Sequence, residues 1–296
     1  MSQYQRLLLI LNPAQRHSPA LHHAAALAAA SGAHLHVTAL IPSLEILSLL
    51  EEEPREEARQ NYLQDHRHWL EDEADKMRRR GLRVTTELEW AQKMSKQILQ
   101  HVTQIQPDLL IKQVQHEPLL KRAFFTPLDW QLLRNCPVPM YLVGATGHAL
   151  PRTVVAAVDA SSAFARNSGL NDRIIRQAMG LALQCNAELH LVHAYEVSSV
   201  YLGDAGGGGL SLSQLGKELR RSLEKTFLEL ANLFGVPAER RHFLLGHPVS
   251  ALSEFALAHE VDVIVMGRFQ HDDLHGLLGS TTEHILYQVS CDVLAV

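Results

Sequence analysis

The chain has 296 residues, of which 46% are hydrophobic and 20% are charged, and its formal net charge is −5. This length allows two domains that each bury a core, the lack of a basic excess excludes a nucleic-acid footprint, and no apolar stretch approaches the ~20 residues of a membrane span. The three cysteines are scattered and odd in number, which excludes a disulfide framework and favours reduced thiols in the cytoplasm.

The first half alternates short apolar runs with amphipathic segments. Its first run, residues 7–11, is five residues long and predicts a strand rather than a signal peptide. A helix rich in alanine and leucine and a second strand follow within 18–42. The later predicted elements are a helix over 55–80, a strand over 82–90, a helix around 94–105, and strands over 108–114 and 139–144.

The second half repeats this order. RTVVAAVD at 152–159 corresponds to RLLLILN at 6–12, and a helix and a second strand follow in both halves. Turn-forming residues at 145–151 mark the boundary, and GDAGGGG at 203–209 predicts a surface loop. Alternating strands and helices of this length favour a parallel sheet wrapped by helices, formed twice. The remaining predicted elements are helices over 211–234 and 249–259 and strands over 239–246, 262–267 and 292–296.

Four short segments resemble the universal stress protein family in its tandem two-domain, E-like form. They are VAAVDASS around Asp159, VMG ending at Gly267, GST at 279–281 and FFTPLDWQLLRNCPVP at 124–139. The resemblance implies an α/β fold of two tandem domains, over 1–146 and 151–296. Each domain is expected to be a five-stranded parallel sheet of order 3-2-1-4-5 with helices on both faces. It also implies a cytoplasmic, non-enzymatic role in the stress response.

Nucleotide-binding members of this family carry G-x-x-G, nine further residues, and then G-S or G-T. Gly267 matches the first glycine and Gly279 begins the last pair, but Gln270 stands at the second glycine and the loop is one residue short. Asp272 and Asp273 in this loop would repel a triphosphate unless Mg²⁺ intervenes. The resemblance therefore implies ATP, with Mg²⁺, as the ligand of the second domain.

The implied nucleotide site lies beyond the carboxyl ends of the strands of the second domain. On the adenosine side the expected residues are Ala157, Val158, Asp159 and Ala194. The expected residues on the side of strand four and the phosphates are Met266, Gly267, Gly279, Ser280 and Thr281. Two alternatives stay open: these residues only form a turn and a helix cap, or the same cleft binds a different small ligand.

The first domain is expected to have a degenerate nucleotide site. Phe124 and Phe125 occupy the positions of Gly279 and Ser280, Gln113 that of Gly267, and Asn12 that of Asp159. The two phenylalanines are expected to pack into the cleft or against the other half, or to line an apolar pocket. A small or lipid-like metabolite in that pocket is one alternative function, and a ligand-free protein-interaction module is another.

Neither a catalytic constellation nor a metal site is predicted. His34 and His36 lie on one face of the second strand, and His271 and His275 are four residues apart, but no carboxylate or cysteine is evidently placed with either pair. The protein is therefore expected not to be an enzyme, with slow ATP hydrolysis left open, and to hold no metal. The two domains are expected to pair as an intramolecular pseudo-dimer, while a homodimer of the chain and its protein partners are left open.

Overall fold

The computed structural model describes residues 4–42, 47, 49–115, 126–144, 148–162, 165, 167–196, 212–268 and 281–296. The chain forms two compact units whose main division falls between Leu150 and Pro151. Among the described helices, none combines the length and the hydropathy that crossing a membrane requires. Several residues singled out from the sequence lie outside the described ranges: Phe124, Phe125, the 203–209 segment, Gln270, His271, Asp272, Asp273, His275, Gly279 and Ser280.

The first unit is a parallel sheet with strand order β3-β2-β1-β4-β5. Its strands are β1 Arg6–Leu11, β2 His34–Pro42, β3 Arg83–Ala91, β4 Leu109–Gln113 and β5 Met140–Val143. Its helices are α1 Pro19–Ser31, α2 Glu52–Arg79, α3 Met94–Ile105 and α4 Leu128–Asn135. β1, β4 and β5 are almost wholly buried, because helices cover both faces of a parallel sheet and its strands therefore read as apolar runs.

The second unit has the matching order, β8-β7-β6-β9-β10. Its strands are β6 Thr153–Ala157, β7 Glu188–Tyr195, β8 Arg241–Leu245, β9 Val263–Met266 and β10 Asp292–Ala295. Its helices are α5 Leu170–Cys185, α6 Leu212–Leu233, α7 Pro248–Ala258 and α8 Thr281–Ile285. The order 3-2-1-4-5 is thereby confirmed in both units.

One predicted boundary differs clearly from the structure. The strand expected over 239–246 begins only at Arg241, because Ala238–Arg240 forms a single 3₁₀ turn. The Arg240 amide donates to the carbonyl of Pro237 at 3.0 Å and closes that turn. Proline fixes its own φ and favours the start of such a turn over an extended strand.

The duplication extends to individual backbone contacts. Asp108 Oδ2 accepts hydrogen bonds from the amides of Gln5 and Arg6 at 2.7 and 2.8 Å. Asp262 Oδ2 accepts from the amides that precede and begin β6 in the same way, at 2.7 and 3.0 Å. Since these carboxylates fix the same register in both units, Asn12 corresponds to Asp159 and Gln113 to Gly267.

Candidate functional site

The site predicted in the second unit lies where β6 and β9 end side by side. The two strands are parallel neighbours, and their last residues, Ala157 and Met266, are in register. The chain leaves β6 toward β7 on one side and arrives at β9 on the other. Open α/β sheets bind ligands beyond the carboxyl ends of strands at such a switch point. The structure therefore brings both strand ends of the predicted site together.

Asp159 follows β6 in an exposed, well-organised turn. Its Oδ1 accepts hydrogen bonds from the amides of Ser161 at 2.9 Å and Ser162 at 3.0 Å, which is the short-range pattern that aspartate favours in turns. The amide of Asp159 donates to Asn171 Oδ1 at 3.0 Å, and its carbonyl accepts from Asn171 Nδ2 at 2.9 Å. Asn171 is buried in the first turn of α5 and anchors this loop. Sequence reasoning missed Asn171, whose signal is a polar residue within a buried helix start.

Val158 and Ala194 lie beside this turn but in different environments. Val158 is buried, and its amide donates to the Val192 carbonyl at 2.9 Å. Its carbonyl accepts a hydrogen bond from His193 Nδ1 at 3.0 Å. Burial lowers the pKa of His193, so the neutral imidazole is a hydrogen-bonding core residue. Ala194 is half-buried at the end of β7.

Gly267 follows β9 and is held by close packing. A Cβ atom at this position would lie 2.8 Å from Leu170 Cδ2, which is closer than real Cβ contacts allow. The Gly267 carbonyl accepts a hydrogen bond from Thr282 Oγ1 at 2.6 Å, and the next amide, that of Arg268, donates to the Val296 carbonyl. The close packing of Leu170 thus favours glycine at this position, a reason that is independent of any phosphate.

Met266 and Thr281 complete the described part of the predicted site. Met266 is buried at the end of β9, and Thr281 is the half-buried first residue of α8. The remaining predicted phosphate contacts, Gly279 and Ser280, fall outside the described residues. The described part of the site is thus a fixed turn at Asp159 opposite a tightly packed strand end at Gly267.

The first unit contains a cavity of about 360 Å³ at the corresponding strand ends. Its lining is mixed, with aliphatic side chains from the sheet and helices and several amide and hydroxyl groups. The lining residues are Ile10, Leu11, Asn12, Gln15, Ser18, Leu40, Pro42, Met94, Ile98, Lys112, Gln113, Gln115 and Leu128. A volume of this size lies in the range of small-molecule sites. The first unit therefore has a cavity where the degenerate nucleotide site was expected, and the lining of this cavity differs from that of a nucleotide site.

A buried ion pair borders this cavity. Lys112 Nζ donates to Asp129 Oδ1 at 2.7 Å, and the two residues are 3% and 1% exposed. The same ammonium donates to the Gln113 carbonyl at 2.9 Å, and Asp129 Oδ2 accepts from the Gln115 amide at 3.0 Å. Gln113 Oε1 accepts from Ser18 Oγ at 2.9 Å. These bonds compensate the burial of both charges.

Comparison with known proteins decides the family. A family model of the universal stress protein family matches residues 3–144 and, a second time, residues 151–296. The chain belongs to the universal stress protein family. The two compact units are therefore two universal stress domains in one chain.

Relatives match this chain over nearly their whole length. Universal stress protein E of Photorhabdus laumondii is 29% identical over 307 residues, which covers 100% of this chain and 96% of the relative. Universal stress protein E of Escherichia coli is 26% identical over 302 residues, covering 100% and 95%. The crystal structure of a protein of unknown function from Pseudomonas aeruginosa superimposes with a TM-score of 0.74 at 24% identity, covering 99% of this chain and 92% of that one. The last likeness supports the fold alone.

Histidines form part of both stress domains, but in different settings. In the second domain His190 Nδ1 lies 3.0 Å from His242 Nε2, and the two rings stack. Burial, followed by the neighbouring imidazoles of His190 and His259, lowers the pKa of His242 to about 4. In the first domain His36 lies beside Glu87. Sequence reasoning placed no carboxylate beside His34 and His36 because Glu87 is brought there from β3, 51 positions later than His36.

Proposed function

We propose that this chain is a cytoplasmic stress-response protein that acts by binding rather than by catalysis, and that its second domain binds an adenine nucleotide, ATP with Mg²⁺. The proposal rests chiefly on Asp159, a carboxylate that is exposed at the switch point between β6 and β9. Asn171 holds the backbone of this turn from both sides, so the carboxylate is positioned before a ligand arrives. Such preorganisation lowers the ordering cost of binding.

The nucleotide is expected to lie with its adenosine toward Ala157, Val158, Asp159 and Ala194. Its phosphates are expected on the side of Met266, Gly267 and Thr281, together with Gly279 and Ser280. Because Gly267 is closely packed against Leu170, we expect the phosphates to approach the residues before α8 rather than Gly267 itself. Asp272 and Asp273 are then the expected partners of Mg²⁺.

Calorimetric titration of ATP with Mg²⁺ tests this proposal. We expect one bound nucleotide per chain, and Asp159→Ala should weaken binding by ~10–100-fold, as the loss of a hydrogen bond to a charged group does. Asp159→Asn is a milder variant, because an asparagine oxygen still accepts from the Ser161 and Ser162 amides. Asn12 plays this role in the first domain, where its Oδ1 accepts from the Ala14 amide at 3.1 Å.

Asn12→Ala is the matched control, and it should leave ATP affinity unchanged. No ATP binding to the purified protein, or equal affinities for wild type and both Asp159 variants, would contradict the proposal. Phosphate or AMP released from ATP at a steady rate would contradict the non-catalytic part of it.

The cavity of the first domain favours a second ligand of different character. Two of the three N–H donors of Lys112 already bind Asp129 and the Gln113 carbonyl, so the charge that an anion needs is compensated. Aliphatic walls with amide groups suit a neutral or amphipathic small molecule instead. Native mass spectrometry of the protein as purified tests this candidate, since a retained mass that denaturation releases would identify the ligand.

The two stress domains are further proposed to pair with each other as an intramolecular pseudo-dimer. Two matching strand orders and two matches to the family model in one chain support this arrangement. Light scattering after size-exclusion chromatography distinguishes a monomeric tandem chain from a homodimer, and cross-linking between the two domains within a monomer would support the pseudo-dimer. Cell fractionation tests the cytoplasmic location.

A further inference from the structure

The first domain contains a second cluster of polar side chains on its outer strands. His36 lies in β2, Glu87 and Glu89 lie in β3, and His101 lies in α3, which packs against this face of the sheet. One donor atom each from Glu87, Glu89 and His101 lie within 4.8 Å of one another. Imidazole nitrogens and carboxylate oxygens are zinc ligands in proteins. The cluster therefore has the donor set of a transition-metal site.

The contacts of His101 determine how such a site is arranged. Its side chain is only 4% exposed, and its Nε2 is in contact with Glu89 Oε1. Its Nδ1 lies 3.5 Å from Glu87 Oε2 and has no hydrogen-bond partner among the described residues. With the ring proton on Nε2, the Nδ1 lone pair faces an anionic oxygen. A cation between these two electron-rich atoms relieves that repulsion.

Two distances at Glu87 suit a metal ion, and His36 is the ligand that must move to complete the site, because the donor atoms already within 4.8 Å of one another belong to Glu87, Glu89 and His101. Glu87 Oε2 lies 3.4 Å from His36 Nε2 and 3.5 Å from His101 Nδ1. Ligands bound at 2.0–2.2 Å in a tetrahedral zinc site are about 3.4 Å apart. The exposed Glu87 side chain and the half-buried His36 side chain have room for the small adjustments that metal binding requires.

The outer nitrogens of both imidazoles already have the partners that metal-bound histidines need. Glu89 contacts Nε2 of His101, and Thr85 Oγ1 lies 2.7 Å from Nδ1 of His36. Such partners fix the tautomer and the orientation of the ring, and they increase the basicity of the ligand. We propose that the first domain binds a zinc ion through His36 Nε2, Glu87 Oε2 and His101 Nδ1, with Glu89 and Thr85 as positioning residues.

The second domain provides an internal comparison. His34 in the first domain corresponds to Glu188 in the second. The His34 amide donates to the carbonyl of Gln5, which precedes β1, and the Glu188 amide donates to the carbonyl of Arg152, which precedes β6. His36 then corresponds to His190. We aligned β3 with β8 and α3 with α7 in the same way. In this alignment Glu87 corresponds to His242, Glu89 to Leu244 and His101 to Phe255. The carboxylates and the third ligand are thus replaced, and the proposed zinc site belongs to the first domain alone.

Zinc titration of the chelator-treated full-length chain tests the proposal. We expect one zinc ion per chain by calorimetry and by metal analysis after dialysis. Glu87→Gln, which changes an exposed side chain, and His101→Phe, which introduces the second-domain residue, should each abolish that binding. Glu89→Gln should retain the stoichiometry but weaken affinity by ~10–100-fold, as expected for a residue that positions a metal ligand.

His190→Ala is the matched control for His36→Ala, and only the latter should reduce zinc binding. Zinc should also raise the thermal midpoint of the wild-type chain but not that of Glu87→Gln, because a ligand stabilises only the state that binds it. No zinc binding to wild type would overturn the proposal. Equal zinc affinity in wild type, Glu87→Gln and His101→Phe would also overturn it.

Discussion

Asp129→Asn is expected to destabilise the first domain strongly. The substitution removes the carboxylate that neutralises Lys112, while both positions are almost fully buried. Breaking a buried pair by removing one partner costs about 3–5 kcal/mol, because the remaining charge has no compensation. This cost corresponds to a change of ~150–5,000-fold in the unfolding equilibrium constant. It is a large share of the ~5–15 kcal/mol that holds a typical domain folded.

The double variant Lys112→Met/Asp129→Asn separates the lost charge from the lost contacts. Methionine occupies the equivalent position in the second domain. Gln113 corresponds to Gly267, and the residues directly before them are Lys112 and Met266. Replacing both charges leaves no buried ion, so the double variant should regain most of the stability that Asp129→Asn loses. Glu73→Gln is a surface control. Its partner Lys76, at 2.6 Å, is half-exposed, and the loss should stay below about 1 kcal/mol.

Urea unfolding followed by tryptophan fluorescence measures these changes in the first domain. Trp69, Trp90 and Trp130 are the three tryptophans of the chain, and all precede the domain boundary, so their emission follows that domain. A loss for Asp129→Asn no larger than that for Glu73→Gln would refute the buried-charge reasoning. A double variant as unstable as Asp129→Asn would refute it equally.

Two further predictions concern the second domain. Gly267→Ala should cost about 1–3 kcal/mol through overpacking against Leu170, and it should cost less in a Leu170→Ala background than in wild type; equal stability of Gly267→Ala and wild type in thermal unfolding would contradict this. The free energy of unfolding should also fall from pH 6.5 toward pH 4. In this range His242 binds a proton in the unfolded chain, whereas in the folded chain it does so only at about pH 4. The full shift sets an upper limit of about 3 kcal/mol, and partial exposure reduces it to about 1–2 kcal/mol. His242→Phe should flatten the pH profile, and an unchanged profile would contradict the assignment.

The strand order and the duplication could be predicted because they depend on local patterns. Buried parallel strands such as β1 read as unbroken apolar runs, and the same order of elements occurs twice. A residue with a left-handed backbone conformation also follows the third helix of each domain. It is Gln106 in the first domain and Glu260 in the second, with φ of 49° and 47°. Neither is a glycine, so no residue type in the sequence indicated it.

The side-chain clusters could not be predicted, because they join residues that are distant in the chain. In the sequence, Lys112 is only a polar residue within an apolar strand. The structure shows that it pairs with Asp129, 2.7 Å away. Gly267 matches a phosphate motif, yet its close contact is with Leu170, about 100 positions earlier. A motif reports which residue type is present but not which neighbour requires it. Glycine is therefore ambiguous between backbone access for a ligand and space for a side chain.

The two domains differ at the strand ends while they share the framework that positions those ends. Asp108 and Asp262 fix the same strand register, so the beginnings of β1 and β6 are held alike. At the carboxyl ends of the strands, the first domain has the uncharged Asn12 at the position of the exposed Asp159. Its Lys112 forms an ion pair with Asp129. We therefore expect any selectivity of the first domain to depend on the shape of the cavity and its amide groups rather than on the charge of Lys112. We expect this divergence at the strand ends to give the two domains different ligand preferences.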